Sequence, residues 1–165
     1  MAVLGKVRGW DRTVPTPAMD WRKATVDVVI PAKNEEKSIA MVLSTVAQQD
    51  FPIRNITVFD DGSSDRTSAI AQRYGELAGR PVNVVTRKES IGKTPALREY
   101  CQQTDADAIV IVDADTVLVS PNYISRLIEE LFKNAGVAAA SGEVMPLTRR
   151  RKMYCADQDS HLRTI

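Results

Sequence analysis

The chain has 165 residues, which is enough for one domain with a hydrophobic core and too few for two domains of ordinary size. Hydrophobic residues make up 44% and charged residues 26%, a balance that excludes a disordered or fibrous protein. The net charge of +1 excludes a strong overall field that would attract nucleic acid, so any anion site must be local.

Strands and helices are predicted to alternate along the chain. Buried strands are expected at residues 26–30 (ended by Pro31), 56–59, 82–85, 109–112 and 137–140. Four helices are expected between and after the first four strands. The first runs through Ile39 and Val46, and the second is capped by Ser63 or Ser64 and buries Ile70, Ala71 and Tyr74. The third covers residues 95–103, and the fourth starts at Ser120-Pro121 and buries Ile124, Leu127, Ile128 and Leu131. This order predicts an α/β fold, with a mostly parallel sheet covered by helices on both faces.

The expected domain covers residues 25–145, preceded by an extension at 1–24 and followed by a basic segment at 146–165. Cys101 and Cys155 have neither metal-ligand spacing nor the pattern of a disulfide scaffold, which favours a reduced, cytoplasmic setting. No stretch approaches the ~18 to 20 apolar residues that span a bilayer, and residues 1–23 lack the apolar core of a signal peptide.

In a parallel sheet, ligands bind outside the carboxyl ends of the strands. Four polar segments follow the first four predicted strands, at residues 32–35, 60–63, 87–93 and 113–115. The edge of the sheet is therefore expected to collect acidic, basic and amide groups. An acidic pair beside Arg87, Lys88 and Lys93 fits a metal and basic groups that share one diphosphate.

The fourth segment carries the most specific chemistry. Asp-x-Asp occurs three times in the chain, at 105/107, 113/115 and 157/159, but only Asp113 and Asp115 follow a run of β-branched residues. Residues two apart on a strand point the same way, so these two carboxylates are expected to converge on one ligand. Hard oxygen ligands suit Mg²⁺ or Mn²⁺ bound to phosphate. The simpler interpretation is a solvated exit from a strand.

Four segments in order resemble the family 2 glycosyltransferases, whose nucleotide-sugar-binding fold is called GT-A. They are VVIPAKNEE at 28–36, VFDDGSSDRT at 58–67, GK at 92–93 and VDAD at 112–115, and the resemblance covers about residues 26–142. It implies a Rossmann-like α/β domain that binds a nucleoside-diphosphate sugar, with a UDP-sugar expected. It also implies a divalent ion, Mg²⁺ or Mn²⁺, and inverting transfer to a sugar or lipid acceptor.

The resemblance also implies roles for particular residues. The loop after the first strand and Asp61 would hold the base and ribose, with Asp61 accepting from a ring nitrogen. Lys93 would meet the diphosphate, Asp113 would contact ribose or metal, and Asp115 would coordinate the metal. The full set expected to bind the nucleotide sugar is Pro31, Ala32, Lys33, Asn34, Glu35, Asp60, Asp61, Lys93 and Asp113, and the metal ligands are Asp113 and Asp115.

The sequence also leaves other functions open. Inverting transfer needs a general base, which in the resembling family lies well beyond the Asp-x-Asp. No match to it is found, so the chain is expected to be the donor-binding half of a longer enzyme, with any membrane association supplied by a missing part. A donor-binding remnant without catalysis is one alternative. If the chain by itself transferred sugar at a full rate, the base would lie within it, and Asp157, Asp159 and Glu143 would be the positions to mutate. A metal-dependent nucleotide hydrolase is the other, but Arg87 stands where a phosphate loop needs glycine.

Overall fold

The computed structural model describes residues 20–133, 137 and 139–142, together with the backbone of residues 2–5 and 163–164. The strands are β1 (Ala2–Gly5), β2 (Val26–Ala32), β3 (Ile53–Asp60), β4 (Val82–Thr86), β5 (Ala108–Ile111), β6 (Ala139–Ser141) and β7 (Arg163–Thr164). The helices are α1 (Ile39–Ala47), α2 (Thr67–Leu77), α3 (Lys93–Gln103) and α4 (Tyr123–Lys133), with a short 3-10 helix at Trp21–Lys23. None of the helices in these ranges is long and apolar enough to cross a membrane.

The described strands form one sheet in the order β4-β3-β2-β5-β1-β6-β7. Strands β4, β3, β2 and β5 are parallel, so their carboxyl ends share one edge, whereas β1, β6 and β7 pair antiparallel. The predicted parallel unit is thus confirmed. Strand β1 was not predicted, because residues 1–23 show no clear period, yet it lies between β5 and β6.

The helices cover the two faces of the sheet unequally. On one face, the even-numbered residues of β2 and β5 join α1, α2 and α4 in the main core. On the other face, α3 alone packs over a smaller cluster that contains Val29, Phe59 and Ile111. The expected α/β architecture with helices on both faces is confirmed, and α3 is the only described helix on its side.

Strand β2 continues past the residue that was expected to end it. Pro31 pairs with Phe59 of β3, and the strand ends at Ala32. The carbonyl of Val29 accepts from Val112 of the β5 segment, and that of Ala32 accepts from Asp61 after β3. The backbone N–H and C=O groups of the odd-numbered residues of β2 therefore point toward β5. Pairing with β5 has stopped at Val29, and the missing N–H of Pro31 therefore interrupts no ladder bond.

Two helix starts also differ from the prediction. Ser63 and Ser64 do not cap α2, whose N-cap residue is Arg66. The preceding Asp65 instead bonds the first helical residue, since its carboxylate accepts from the amide and hydroxyl of Thr67 at 3.0 and 2.5 Å. Helix α4 begins at Tyr123 rather than at Ser120-Pro121. Its first turn is bonded from a distant element, since the Ile124 amide donates to the Gln49 side-chain oxygen at 3.0 Å.

Candidate functional site

The loops after β2 and β3 are joined through Asn34. Its backbone has a positive φ of 57°, a conformation that asparagine tolerates better than most residues. The Asn34 amide donates to the Ser63 hydroxyl at 2.9 Å, and its side-chain oxygen accepts from the Ser64 amide at 2.9 Å. The two serines that precede α2 are thus used to hold the neighbouring loop, which explains why they do not cap the helix.

Glu35 and Asp60 both make hydrogen bonds within the loops. The Glu35 amide donates to the Thr67 hydroxyl at 2.8 Å, and its carboxylate accepts from Ser38 at 2.5 Å. Asp60 is 2% exposed, and its carboxylate accepts from the Ser63 amide at 2.9 Å and from the Ser68 hydroxyl. In this structure both carboxylates stabilise the loops; that of Asp60 is buried, and Glu35 is partly exposed.

Asp61 fastens the loop after β4 to the loop after β3. One carboxylate oxygen accepts from the Ile91 amide at 2.9 Å, and the other accepts from the Ser90 hydroxyl at 2.6 Å and the Gly92 amide at 2.8 Å. These hydrogen bonds, led by that of Ser90, lower the pKa of Asp61 below its usual range, although burial opposes the shift. Asp61 is therefore an anion at neutral pH.

Gly62 allows this close approach of the two loops. Its φ is +73°, and a Cβ at this position would lie 3.1 Å from the Ser90 nitrogen and 3.4 Å from the Glu89 carbonyl carbon. Backbone atoms cannot rotate away as a flexible side chain can. A glycine is required here both for the conformation and for the space.

The metal-ligand candidates lie just beyond β5. Strand β5 ends at Ile111, and the Thr116 amide donates to the Asp113 carbonyl at 2.9 Å, so Asp113 and Asp115 lie in a turn. Buried and exposed side chains still alternate in part, as they would in a strand, because Ala114 is buried while Asp115 is exposed. Asp113 forms an ion pair with Lys93, and Asp115 has one long contact, at 3.5 Å, from the Thr116 hydroxyl.

The chemistry of these donors fits a divalent ion that keeps outside ligands. Two carboxylates are hard oxygen ligands, and Mg²⁺ is commonly held by one or two of them together with water and substrate phosphates. Within the described ranges, no group of three or more His, Cys, Asp or Glu side chains is arranged to hold a metal. The site therefore fits an ion that is shared with a phosphate ligand, not an ion enclosed by protein.

Arg87 does not reach toward the metal-ligand candidates. Its guanidinium forms an ion pair with Glu99 of α3, and its side chain is 16% exposed. One of its terminal nitrogens, Nη1, is buried without a described hydrogen-bond partner. Arg87 thus helps to fix α3 beside the loop after β4, and Lys93 is the basic residue that contacts the Asp-x-Asp.

The opposite end of α3 is held by a buried carboxylate. Asp27, fully buried, accepts from Arg54 at 2.8 and 2.9 Å, from Thr104 at 2.6 Å and from Tyr100 at 2.9 Å. Burial raises the pKa of Asp27, but the hydrogen bond from Arg54 and those from Thr104 and Tyr100 outweigh it, so the net pKa is lowered. Burial raises the pKa of Tyr100 to about 12. The Tyr100 ring also packs edge-on against Phe59, with centroids 5.9 Å apart.

The other Asp-x-Asp copies differ from the one after β5. Asp105 pairs with Arg54, and Asp107 accepts from the Thr25 amide and hydroxyl at 2.9 and 2.7 Å. Asp157 and Asp159 lie outside the described residues, as do Glu143 and Cys155.

The predicted residues therefore form a continuous series of contacts along one edge of the sheet. Asn34 joins the first loop to the second, Asp61 joins the second to the third, and Lys93 joins the third to Asp113. Lys33 is exposed and its charge also lowers the pKa of Asp61. Sequence reasoning did not find Ser90, whose only signal is its place in the segment before Gly92.

The sequence is similar to known glycosyltransferases. A 4,4'-diaponeurosporenoate glycosyltransferase of Staphylococcus aureus (strain N315) is 31% identical over 117 residues, which cover 70% of this chain and 30% of the relative. An N-acetylglucosaminyltransferase of Rhizobium leguminosarum bv. viciae is 31% identical over 134 residues, 78% of this chain and 31% of the relative. The chain thus spans about a third of the length of these curated relatives.

Solved structures show the same fold. A mannosyltransferase from Pyrobaculum calidifontis in complex with GDP-Man and Mn²⁺ has a TM-score of 0.66 at 24% identity, over 84% of this chain and 39% of that chain. Glucosyl-3-phosphoglycerate synthase from Mycobacterium tuberculosis, in complex with Mn²⁺, UDP and phosphoglyceric acid, has a TM-score of 0.56 at 29% identity, over 70% of this chain and 41% of that chain. The expected GT-A fold is confirmed. The model of the family described as Glycosyl transferase family 2 matches residues 27–154, and the chain belongs to this family.

Proposed function

We propose that this chain binds a nucleoside-diphosphate sugar, with a UDP-sugar as the preferred donor, and that it is the donor-binding part of an inverting glycosyltransferase. The observation that carries the proposal is the series of contacts from Asn34 through Asp61 and Lys93 to Asp113, which brings four loops to one edge of the sheet. The solved relative at 29% identity, which contains UDP and Mn²⁺, supports the same choice.

Asp61 would select the base. It is an ionised acceptor, and the oxygen that accepts only from Ile91 retains a lone pair for one further donor. Uracil offers a ring N–H at N3, whereas cytosine has an acceptor there and adenine has no ring N–H on its pairing edge. A hydrogen bond to a charged group is worth about 1.5 to 3 kcal/mol, so UDP should bind roughly 10- to 100-fold more tightly than CDP.

Lys93 and the two Asp-x-Asp carboxylates would hold the diphosphate end. Asp113 and Asp115 would be the protein ligands of Mg²⁺ or Mn²⁺, and such an ion, when bound, neutralises charge on the leaving diphosphate. Lys93 would add a positive charge beside the same phosphates. A general base must deprotonate the acceptor hydroxyl, and we assign that role to none of the described residues.

The test is titration calorimetry with UDP, CDP and ATP in the presence of Mn²⁺, before and after addition of a chelator. UDP should bind most tightly, and the chelator should weaken binding. Asp115→Ala should abolish the part of binding that depends on metal, because it removes a proposed ligand. Asp107→Ala is the matched control from another Asp-x-Asp, since its carboxylate is bonded to Thr25 instead.

Two results would contradict the proposal. Equal affinity for ATP and UDP would exclude base selection by Asp61 and favour a metal-dependent nucleotide hydrolase. Equal effects of the two alanine substitutions on UDP binding would show that the carboxylates after β5 have no special role.

A further inference from the structure

Lys93 and Asp113 are held together by charge and not by burial. Lys93 is the first residue of α3, and its ammonium contacts a carboxylate oxygen of Asp113. The two side chains are 48% and 41% exposed. An exposed ion pair of this kind is weak, and either partner can exchange it for another of suitable charge.

The pair affects the carboxylates that would bind a cation. In the structure, Asp113 is already neutralised by Lys93, and Asp115 has only its contact with the Thr116 hydroxyl. Over the part of the chain that the structure covers, no third acidic, His or Cys side chain joins them in a metal-binding group. A divalent ion without nucleotide would therefore compete with the Lys93 ammonium for Asp113.

We propose that Lys93 is an exchangeable counter-cation that makes donor and metal binding depend on each other. It pairs with Asp113 when the site is empty and moves to the diphosphate when the donor binds, which frees the Asp113 carboxylate to be a metal ligand. The inference rests on the proposed function, because it needs a diphosphate at Lys93. Linkage then requires that donor raises metal affinity by the same factor as metal raises donor affinity.

The proposal makes opposite predictions for the binding of metal alone and for the binding of UDP. Removing the ammonium should strengthen metal binding without nucleotide, because Asp113 loses its competitor. The gain should be modest, about two- to fivefold, since exposed ion pairs shift equilibria by no more than that. The same substitution should weaken the binding of UDP, because the diphosphate loses a cation.

The experiment measures Mn²⁺ affinity by electron paramagnetic resonance of the free ion, with and without saturating UDP. The variants are Lys93→Met, Lys93→Arg and Arg98→Met. Arg98 is the matched control, because it is an exposed cation on the same helix. Circular dichroism checks that each variant is folded.

The expected result is tighter Mn²⁺ binding without UDP in Lys93→Met than in both the wild type and Arg98→Met, and a smaller increase in affinity on adding UDP. Lys93→Arg, which keeps the charge, should resemble the wild type. Unchanged or weaker Mn²⁺ binding without UDP in Lys93→Met, while wild-type UDP binding is intact, would overturn the inference alone. Failure of the wild type to bind UDP with Mn²⁺ would overturn the proposed function, and the inference with it.

Discussion

Gly62 gives the most direct test of how the loops of the site are held. In Gly62→Ala, the new methyl group would lie 3.1 Å from the Ser90 nitrogen and 3.4 Å from the Glu89 carbonyl carbon, so the loop after β4 must move. Gly79 is a matched control, because its φ is +60° and a Cβ there meets nothing within 4 Å. The two substitutions share the backbone strain and differ in the clash.

The magnitudes follow from these contacts. A left-handed conformation costs an alanine about 1 to 2 kcal/mol, and the smaller entropy of the unfolded chain offsets up to about 1 kcal/mol of that. Gly79→Ala should therefore lower the free energy of unfolding by about 0 to 1.5 kcal/mol. Gly62→Ala should also lose hydrogen bonds from Ser90 and Gly92 to Asp61, each worth about 1.5 to 3 kcal/mol because the acceptor is charged. We expect a total loss of about 3 to 7 kcal/mol.

Urea denaturation measures both variants, and calorimetry with UDP and Mn²⁺ measures the site. Gly62→Ala should be at least about 3 kcal/mol less stable than Gly79→Ala and should bind UDP more weakly, because Asp61 is no longer held. Equal stabilities together with equal UDP affinities would refute the view that the close approach at Gly62 orders the site.

Three further predictions concern Asp27, its partner Tyr100 and Asp61. Tyr100→Phe removes one of the hydrogen bonds to the charged Asp27 and should lower the free energy of unfolding by about 1.5 to 3 kcal/mol in urea titrations, with a cost below ~0.5 kcal/mol counting against the contact. Since the pKa of Tyr100 is raised to about 12, the wild type should lose stability as pH rises from about 10 to 12, and Tyr100→Phe should lack that loss. Asp27 and Asp61 have lowered pKa values, so the stability they contribute is present above about pH 4 and is lost as pH falls further. Asp27→Asn should flatten the acid limb of the stability profile, and an unchanged limb would show that Asp27 does not cause it.

The sequence predicted the parallel part of the fold because that information is local. A strand is recognised from an apolar run of the right length, and a helix from apolar residues at helical spacing, such as Ile39 and Val46. Both signals lie within the segment itself. The turn residues that follow each strand mark the edge where the loops gather. Strand β1 was missed because its place between β5 and β6 depends on pairing with distant strands.

Side-chain contacts between distant segments account for most of the other differences. The Gln49 oxygen bonds the start of α4, and the Ser90 hydroxyl bonds Asp61, across separations of 75 and 29 residues. No local pattern reports such partners. The Asp60 carboxylate accepts from the nearby Ser63 and Ser68, and its contact with the donor stays a prediction.

The single helix over the second face of the sheet has a consequence for how the molecule opens locally. Helix α3 has one buried residue, Ala96, whereas α1 and α4 have four each. Besides the Arg87–Glu99 ion pair, it is held by the hydrogen bonds from Tyr100 and Thr104 to Asp27, at the end remote from Lys93. Segments with little buried apolar area open at a lower free energy than the global one. Helix α3 is therefore expected to detach as a unit while the main core stays intact, so its amides would exchange with solvent before those of α1, and Lys93 would leave the site with each opening.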